Sequence, residues 1–316
     1  MDSAAPARFA KDFLSILDLS PVDLDRLLRI SAQMKADRRL GRQAPSATAL
    51  AGLHVALLFE KPSLRTRSTF EIAIRELGGD TLHLPATLAE GTREPLQDVA
   101  RNLERFVDGI VARTGPHEVV TELAAQSSVP VINGLTLREH PCQALADVFT
   151  IRERFGDVRG RVLAFVGDGN NVYHSLALLG ATMGMEIRLA HPDGYEPNDR
   201  IVAQAKGLAA ASGGKLVFAT EPEDVVRGAA VIYTDAWTSM GQEAEAEERR
   251  DAFERYQVNQ AMLDRAGDAV VMHCLPAHRG EEITSDVMDG PRSIIFDQSE
   301  NRLHSQKALL AGLLAG

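Results

Sequence analysis

Short apolar runs alternate with helical patterns in the first half of the chain. Pro21–Arg38 follows a Ser-Pro start signal and repeats its apolar residues at helical spacing, which predicts a helix. A second helix is predicted where Phe70, Ile74 and Leu77 share one face, before two glycines end the pattern. The strand-like runs of this half are Leu53–Phe59, Thr81–Leu84, Gly109–Ala112 and Pro130–Ile132. Such alternation is typical of an α/β fold with a mainly parallel sheet.

The same alternation restarts after Gly156–Gly160. The helices predicted in this half are His174–Met183, a highly charged and solvated segment Glu243–Arg255, and an amphipathic Ser305–Leu314. The predicted strands are Arg161–Val166, Glu186–Ala190, Leu216–Ala219, Ala230–Tyr233, Ala269–Met272 and Ser293–Phe296. We therefore expect two domains, 1–150 and 151–302, with a C-terminal helix over about residues 303–316 packing back on the first.

The predicted fold class is α/β, with two doubly wound parallel-sheet domains and the active site in the cleft between them. In open sheets of this kind, ligands bind beyond the carboxyl ends of the strands. Unusual polar residues follow the predicted strands at Glu60–Arg67, Arg113, Asn133, His140, Asp168–Asn171, Asp235 and His273–Arg279. The chemistry is therefore expected at these strand ends.

Composition narrows the classes of function. The 316 residues, 45% hydrophobic and 25% charged, suffice for about two globular domains. A net charge of -10 argues against nucleic acid as a partner, because phosphate backbones require a basic face. No apolar run approaches the roughly 18 residues of a membrane span, and the first residues form neither a signal core nor a transit pattern, so we expect a cytoplasmic location. Cys142 and Cys274 make neither a disulfide framework nor a zinc site.

The motif with the most specific chemistry is Lys61-Pro62-Ser63-Leu64-Arg65-Thr66-Arg67, between a predicted strand and a predicted helix. Helix N-termini offer unpaired backbone N–H groups and a partial positive charge. Two hydroxyls and two guanidiniums are added here, and guanidinium forks fit phosphate oxygens. A pure capping role is a poor alternative, because cations in a first turn oppose the helix dipole. The motif predicts a site for phosphate or another anion.

Two further motifs begin predicted helices. His140-Pro141-Cys142-Gln143 places a His and a Gln where both could face a bound carbonyl, although a structural His fits the motif equally well. Asp168-Gly169-Asn170-Asn171 resembles a dinucleotide fingerprint, but its third glycine position holds Val172. The next strand ends in His191-Pro192 instead of an acid for a ribose. No nicotinamide is therefore expected, and the chemistry predicted from the motifs as a whole needs no metal or other cofactor.

Two motifs at later strand ends leave their roles open. Asp235-Ala236-Trp237-Thr238-Ser239-Met240-Gly241 places a carboxylate beside a Gly-ended loop, which suits an ammonium group. A helix-capping Asp is the alternative. In His273-Cys274-Leu275-Pro276-Ala277-His278-Arg279-Gly280, the thiol could be a nucleophile, a ligand or part of the core. Spacing alone does not decide between these roles.

Together these segments resemble the signatures of the ornithine carbamoyltransferase family. Lys61–Arg67, His140–Gln143, Asp235–Gly241, His273–Gly280 and Phe296–Arg302, reading FDQSENR, follow the family's order over nearly the whole chain. The resemblance implies transfer of a carbamoyl group from carbamoyl phosphate to the side-chain amine of L-ornithine. A carbamoyltransferase for putrescine or N-acetylornithine is the alternative. The resemblance also implies a homotrimer, or a multiple of trimers, and no cofactor.

The resemblance assigns roles to matching positions. It implies that carbamoyl phosphate is held by Ser63, Leu64 through its backbone, Arg65, Thr66, Arg113, His140, Pro141, Cys142, Gln143, Cys274, Leu275 and Arg302. It implies that ornithine is held by Asn171, Asp235, Ser239 and Met240. The implied catalytic residues are Arg65, Arg113, His140, Cys274 and Arg302, with Cys274 as a polar contact and not a covalent nucleophile.

Two positions depart from the family's pattern. Leu64 stands where the family often has Thr, so one hydroxyl is lost while the backbone N–H remains. The loop after Leu84 usually supplies a polar residue to a neighbouring subunit's site. The register places Ala89 there, with Arg93 as a nearby substitute.

Overall fold

The computed structural model describes residues 9–61, 63–85, 88, 94–238 and 242–315. The chain divides into two compact units. The first comprises Met1–Phe149 and Asn301–Gly316, and the second comprises Thr150–Glu300. Among the described residues, no helix has both the length and the apolar character that crossing a membrane requires.

The first unit contains a sheet whose described strands all pair in parallel. The strands are β1 (His54–Phe59), β2 (Asp80–Leu84), β3 (Gly109–Arg113) and β4 (Val131–Leu135), in the order β2-β1-β3-β4. The helices that begin in this unit are α1 (Pro21–Asp37), α2 (Leu64–Glu76), α3 (Leu96–Leu103), α4 (His117–Gln126) and α5 (Pro141–Phe155). Because the strands are parallel, the segments that follow β1, β3 and β4 leave the sheet at the same edge.

The helix predicted over Pro21–Arg38 is confirmed as α1. Ser20 caps it by accepting a hydrogen bond from the backbone N–H of Asp23 at 3.1 Å. Pro21 occupies the first turn, where the missing N–H costs nothing. The buried residues of this helix include Leu24, Leu27, Leu28 and Met34.

The second unit contains a five-stranded sheet whose described pairings are again parallel. Its strands are β5 (Val162–Val166), β6 (Glu186–Ala190), β7 (Lys215–Ala219), β8 (Val231–Thr234) and β9 (Val270–His273), in the order β7-β6-β5-β8-β9. Its helices are α6 (Asn171–Thr182), α7 (Asp199–Ser212), α8 (Pro222–Val226), α9 (Ala246–Phe253), α10 (Gln260–Ala266) and α11 (Ser285–Met288), and α12 (Ile295–Leu314) begins here. The strand order reverses in both sheets, so the prediction of two doubly wound parallel-sheet α/β domains is confirmed.

The prediction of a strand at Ser293–Phe296 is wrong. Ser293 forms a single bridge to Val271, and α12 begins two residues later at Ile295. A short apolar run of this length has no period that distinguishes a strand from the start of a helix.

The C-terminal helix is longer and more deeply buried than predicted. Its residues from Asn301 to Leu310 are all buried, including Lys307, which is 2% exposed and pairs with Glu76 at 2.9 Å. The prediction of an amphipathic helix at Ser305–Leu314 is therefore wrong about its polar residues, although the helix itself is confirmed.

Candidate active site

The first group of site residues forms where β1 passes into α2. Ser63 is the N-cap of α2 in an extended conformation, and its side chain makes no capping hydrogen bond. The first turn contains no acidic residue. Its backbone N–H groups lack intrahelical partners, so they are positioned to bind a negatively charged ligand. The Leu64 side chain is mainly in solvent, with 76% of the residue exposed.

Two guanidiniums converge on one hydroxyl of this turn. Arg113, the last residue of β3, donates to Thr66 Oγ1 at 2.8 Å and to Ser63 Oγ at 3.0 Å. Arg302 donates to the same Thr66 oxygen at 2.7 Å. A hydroxyl oxygen has two acceptor lone pairs, so these two bonds leave the Thr66 O–H to donate to a further acceptor.

His140 immediately precedes Pro141, the first residue of α5. Burial first, and then the positive charges of Arg302, Arg113 and Arg65, hold the pKa of His140 well below its ordinary value of 6.5. The imidazole is therefore neutral at neutral pH. It offers one N–H donor and one lone pair, where a protonated ring would add another positive charge.

The next two residues of this motif differ in their surroundings. Cys142 is buried, its thiol donates to the backbone oxygen of Asn133 at 3.4 Å, and burial raises its pKa to about 12. Cys142 is therefore a core residue without a reactive thiolate. Gln143 donates through Nε2 to Asp147 at 2.8 Å. Its buried Oε1 has no hydrogen-bond partner among the described residues, so this oxygen is a candidate ligand contact.

Asp235, which follows β8, is the centre of the second group of site residues. One carboxylate oxygen accepts from the thiol of Cys274 and from the Ala236 N–H, each at 2.8 Å. The other oxygen accepts from the side-chain amide of Asn170 at 2.9 Å. Asn170 is fixed in turn because its own oxygen caps α6, which begins at Asn171. The three donors are neutral, so none of them cancels the charge of the carboxylate.

The hydrogen bond from Cys274 to Asp235 also affects the chemistry of the thiol. The thiol donates to a carboxylate oxygen, and a negative charge at that distance opposes formation of a second negative charge on sulfur. A covalent nucleophile would have to react as the thiolate. The geometry therefore favours the interpretation of Cys274 as a polar contact.

His273 resembles a metal ligand, because it places a ligand atom within 4.8 Å of those of Asp235 and Cys274. Both of its ring nitrogens are engaged, however. Nδ1 accepts from the Leu275 backbone N–H at 2.8 Å, and Nε2 contacts Glu282 at 3.0 Å. A neutral ring that accepts at Nδ1 carries its proton on Nε2, so Nε2 donates to Glu282. The ring thus fixes the turn at Leu275 and has no lone pair left for a metal.

Arg249 is a residue that the sequence analysis missed. The segment Glu243–Arg255 was predicted to be a solvated helix, but Arg249, on α9, is only 4% exposed. Its guanidinium pairs with Asp168 and donates to the backbone oxygen of Trp237. Burial raises the pKa of Asp168, and the charge of Arg249 opposes that rise. Most neighbours of Arg249 on α9 are exposed, as predicted.

The remaining predicted positions fall into three sets. Ser239, Met240, Ala89 and Arg93 lie outside the described residues. The first unit contains Ser63, Leu64, Arg65, Thr66, Arg113, His140, Pro141, Cys142, Gln143 and Arg302. The second unit contains Asn171, Asp235, Cys274 and Leu275. Asn170, which the sequence analysis did not single out as a ligand contact, is the Asn that contacts Asp235.

Comparisons with known proteins find relatives of both units. The family model for the carbamoyl-P binding domain of aspartate/ornithine carbamoyltransferases matches residues 11–153, and the model for their Asp/Orn binding domain matches residues 159–313. Ornithine carbamoyltransferase from Methanoculleus marisnigri is 49% identical over 308 residues, with 97% of each chain covered. The structure of ornithine carbamoyltransferase from Pyrococcus furiosus matches with a TM-score of 0.93 and 46% identity, covering 98% of this chain and 99% of that one. The crystal structure of the Gloeobacter violaceus ornithine carbamoyltransferase matches with a TM-score of 0.87 and 45% identity, covering 98% and 100%.

Proposed function

The chain belongs to the aspartate/ornithine carbamoyltransferase family, and from this premise we propose the part that each unit takes in catalysis. The enzyme transfers the carbamoyl group of carbamoyl phosphate to the side-chain amine of L-ornithine, giving L-citrulline and phosphate. The near-full-length match to ornithine carbamoyltransferases carries this conclusion.

In this proposal the first unit binds carbamoyl phosphate. Its phosphate group binds at the N-terminus of α2, where the backbone N–H groups of the first turn have no intrahelical partners. Ser63, Arg65 and Thr66 supply side-chain donors, and Leu64 contributes its backbone N–H. The two guanidiniums that converge on Thr66 support this role, because they orient its hydroxyl proton toward an acceptor.

The carbamoyl end of the same substrate is bound by neutral and cationic donors. Arg113 and Arg302 donate toward the carbamoyl oxygen, where negative charge grows as the carbon becomes tetrahedral. His140 donates as a neutral imidazole, because its pKa is held low by burial and by neighbouring guanidiniums. Gln143 accepts from the carbamoyl NH2 through its Oε1. This oxygen has no hydrogen-bond partner among the described residues, which supports the assignment.

The second unit binds ornithine. Asp235 pairs with the α-ammonium group, and its surrounding donors hold the carboxylate in place without neutralising it. By the family resemblance, the other residues that bind the backbone groups of ornithine are Asn171, Ser239 and Met240. Cys274 and Leu275 lie near the reacting amine. A free α-amino acid suits this site better than putrescine, because putrescine has no α-carboxylate for the remaining groups to bind.

The reaction is acyl transfer by direct attack of the amine. The neutral δ-amine of ornithine forms a bond to the carbamoyl carbon, and an oxyanion develops on the carbamoyl oxygen. The C–O bond to phosphate then breaks, and phosphate leaves with the electron pair and accepts the amine's proton. Holding both substrates in the correct orientation supplies much of the rate acceleration, and the guanidiniums stabilise the developing charge.

The cellular setting is part of the proposal. The enzyme acts in arginine biosynthesis in the cytoplasm, where its product citrulline is an intermediate. It assembles as a homotrimer or a multiple of trimers, by the family resemblance. Analytical ultracentrifugation of the purified protein tests the assembly, and a sedimenting species of one chain would contradict it.

A transfer assay with a panel of amines tests the function itself. Carbamoyl phosphate labelled in its carbamoyl carbon is incubated with ornithine, putrescine, N-acetylornithine or aspartate, and labelled product is quantified. We expect kcat/KM to be highest for ornithine. A higher value for any other amine would contradict the assigned substrate.

A further inference from the structure

Arg249 has an unusual position for a residue in so charged a helix. The side chains of its neighbours Glu245 and Arg250 are 58% and 56% exposed, whereas that of Arg249 is 4% exposed. A buried guanidinium is stable only when it is paired and hydrogen-bonded, because removing the charge from water is costly. Its partners should therefore explain why it is buried.

Arg249 lies 3.7 Å from the mostly exposed Glu245, one turn earlier, and its closer polar partners come from strand ends of the second unit. Its Nη2 pairs with Asp168, which follows β5, and its Nε donates at 2.5 Å to the backbone oxygen of Trp237, which follows β8. Its guanidinium carbon lies 4.8 Å from the ring centre of Tyr195, which follows β6, and 5.5 Å from that of Phe253. One side chain thus connects the segments that leave β5, β6 and β8.

Two of these segments carry carboxylates that influence each other. Burial has the largest effect on the pKa of Asp168 and raises it. Asp235 is near enough that its charge raises the pKa of Asp168 further. Arg249 exerts the largest effect that counteracts both influences on Asp168, and His191 adds a smaller one in the same direction. Asp235, in contrast, accepts hydrogen bonds from a thiol, an amide and a backbone N–H, all of them neutral.

We propose that Arg249 is a positioning residue that sets the charge of the amine site. It neutralises Asp168 and holds the backbone at Trp237, two residues after Asp235. Among the described residues, the site then presents one carboxylate, Asp235, that has no cationic partner, which matches the single α-ammonium of ornithine. A second bare carboxylate would repel the α-carboxylate of ornithine and would favour a purely cationic amine. This inference rests on the proposed role of Asp235 as the ammonium contact.

The test uses the full-length enzyme and four variants. Arg249→Met removes the charge and keeps an apolar stem over the two rings, while Asp168→Asn removes the opposing charge with little change of shape. The third variant combines both changes. Arg250→Met is the matched control, because Arg250 is the adjacent arginine, lies in solvent and pairs only with Glu281 among its described contacts. Thermal unfolding verifies that each variant folds.

Charge balance predicts a specific pattern. Arg249→Met should raise the KM for ornithine by roughly 10-fold or more, as loss of one charge-assisted contact would, and should lower kcat less than it raises KM. Asp168→Asn should also raise the KM, because it leaves the more distant and mostly exposed Glu245 as the remaining counter-charge of Arg249 among its described contacts. The double variant should recover most of the affinity, since sites in direct contact are not additive. Arg250→Met should match the unchanged enzyme.

The ratio of putrescine to ornithine kcat/KM provides a readout that a purely structural role would not move. It should rise in Arg249→Met and return toward its original value in the double variant. If the double variant is no better than Arg249→Met, or if the ratio does not change, charge setting by Arg249 is refuted. If Arg249→Met does not fold, an unchanged ornithine KM in Asp168→Asn refutes it independently. Failure of the unchanged enzyme to carbamoylate ornithine would instead refute the proposed function.

Discussion

Asp235→Asn is the most direct perturbation of the amine site, because it removes one charge and nearly preserves shape. Asn170 restricts how the new amide can lie. Its Nδ2 donates to this side chain at 2.9 Å, while its Oδ1 accepts from the Val172 N–H to cap α6. The new amide must therefore turn its oxygen toward Asn170 and its NH2 toward the Ala236 N–H. One backbone donor then faces another donor.

The size of the effect on ornithine follows from the lost charge. A hydrogen bond between ionised groups contributes about 1.5–3 kcal/mol. That free energy corresponds to a decrease in kcat/KM of roughly 10- to 200-fold. The lost bond to the Ala236 N–H should in addition lower the free energy of unfolding by about 0.5–1.5 kcal/mol. The affinity for carbamoyl phosphate should hardly change, because its proposed phosphate contacts belong to the first unit.

The assay varies ornithine at saturating carbamoyl phosphate and measures citrulline, while calorimetry measures the Kd for carbamoyl phosphate. Asp251→Asn is the control, since it removes the same charge from an exposed position on α9 of the same unit. Its kinetics should match those of the unchanged enzyme. Full activity of Asp235→Asn with ornithine would refute the ammonium contact. An equal loss of activity in Asp251→Asn would show that the effect comes from the change in net charge alone.

Three predictions concern the first unit. Arg65→Ala should raise the KM for carbamoyl phosphate and lower kcat, with kcat/KM falling by roughly 10-fold or more; unchanged kinetics would contradict the phosphate site. The pKa of His140 is depressed in the folded state, so below the ordinary value of 6.5 the unfolded chain takes up a proton that the folded chain does not. The free energy of unfolding therefore decreases as the pH falls from 6.5 toward the folded pKa. Urea midpoints should thus fall less for His140→Asn than for the unchanged protein between about pH 7 and pH 5, and equal falls would contradict a depressed pKa. Cys142, whose pKa burial raises to about 12, should resist iodoacetamide at about pH 8 until the chain unfolds; mass spectrometry that finds it alkylated in the folded protein would contradict its assignment to the core.

Most of the sheet structure could be predicted from the sequence because parallel strands covered on both faces read as apolar runs. The observed bounds of β6, Glu186–Ala190, are those that were predicted. The positions of the polar site residues followed from the same reasoning, since parallel strands end at one edge. Arg113 and Asp235 could therefore be located before any contact was known.

The contacts that organise these residues could not be predicted. Arg249 and Asp168 are separated by 81 positions, and neither residue stands in a pattern that implicates the other. Charge content predicted a solvated helix around Arg249, and it was correct for most of that helix. Hydrophobic periodicity reports which face of a helix is buried, but it does not report a single polar residue that is buried because its partner is elsewhere.

Net charge likewise says little about a site for a small anion, which needs only a few local cations. A total of -10 describes the whole chain, whereas charges farther away than about 8 Å are largely screened at physiological ionic strength. A phosphate at the proposed site would therefore respond mainly to the guanidiniums of Arg113 and Arg302 and to the N-terminus of α2, to which both guanidiniums are hydrogen-bonded through Thr66. An extended polyanion would have to contact many surface positions, and there the excess of acidic residues would repel it. The same composition thus argues against nucleic acid and is fully compatible with carbamoyl phosphate.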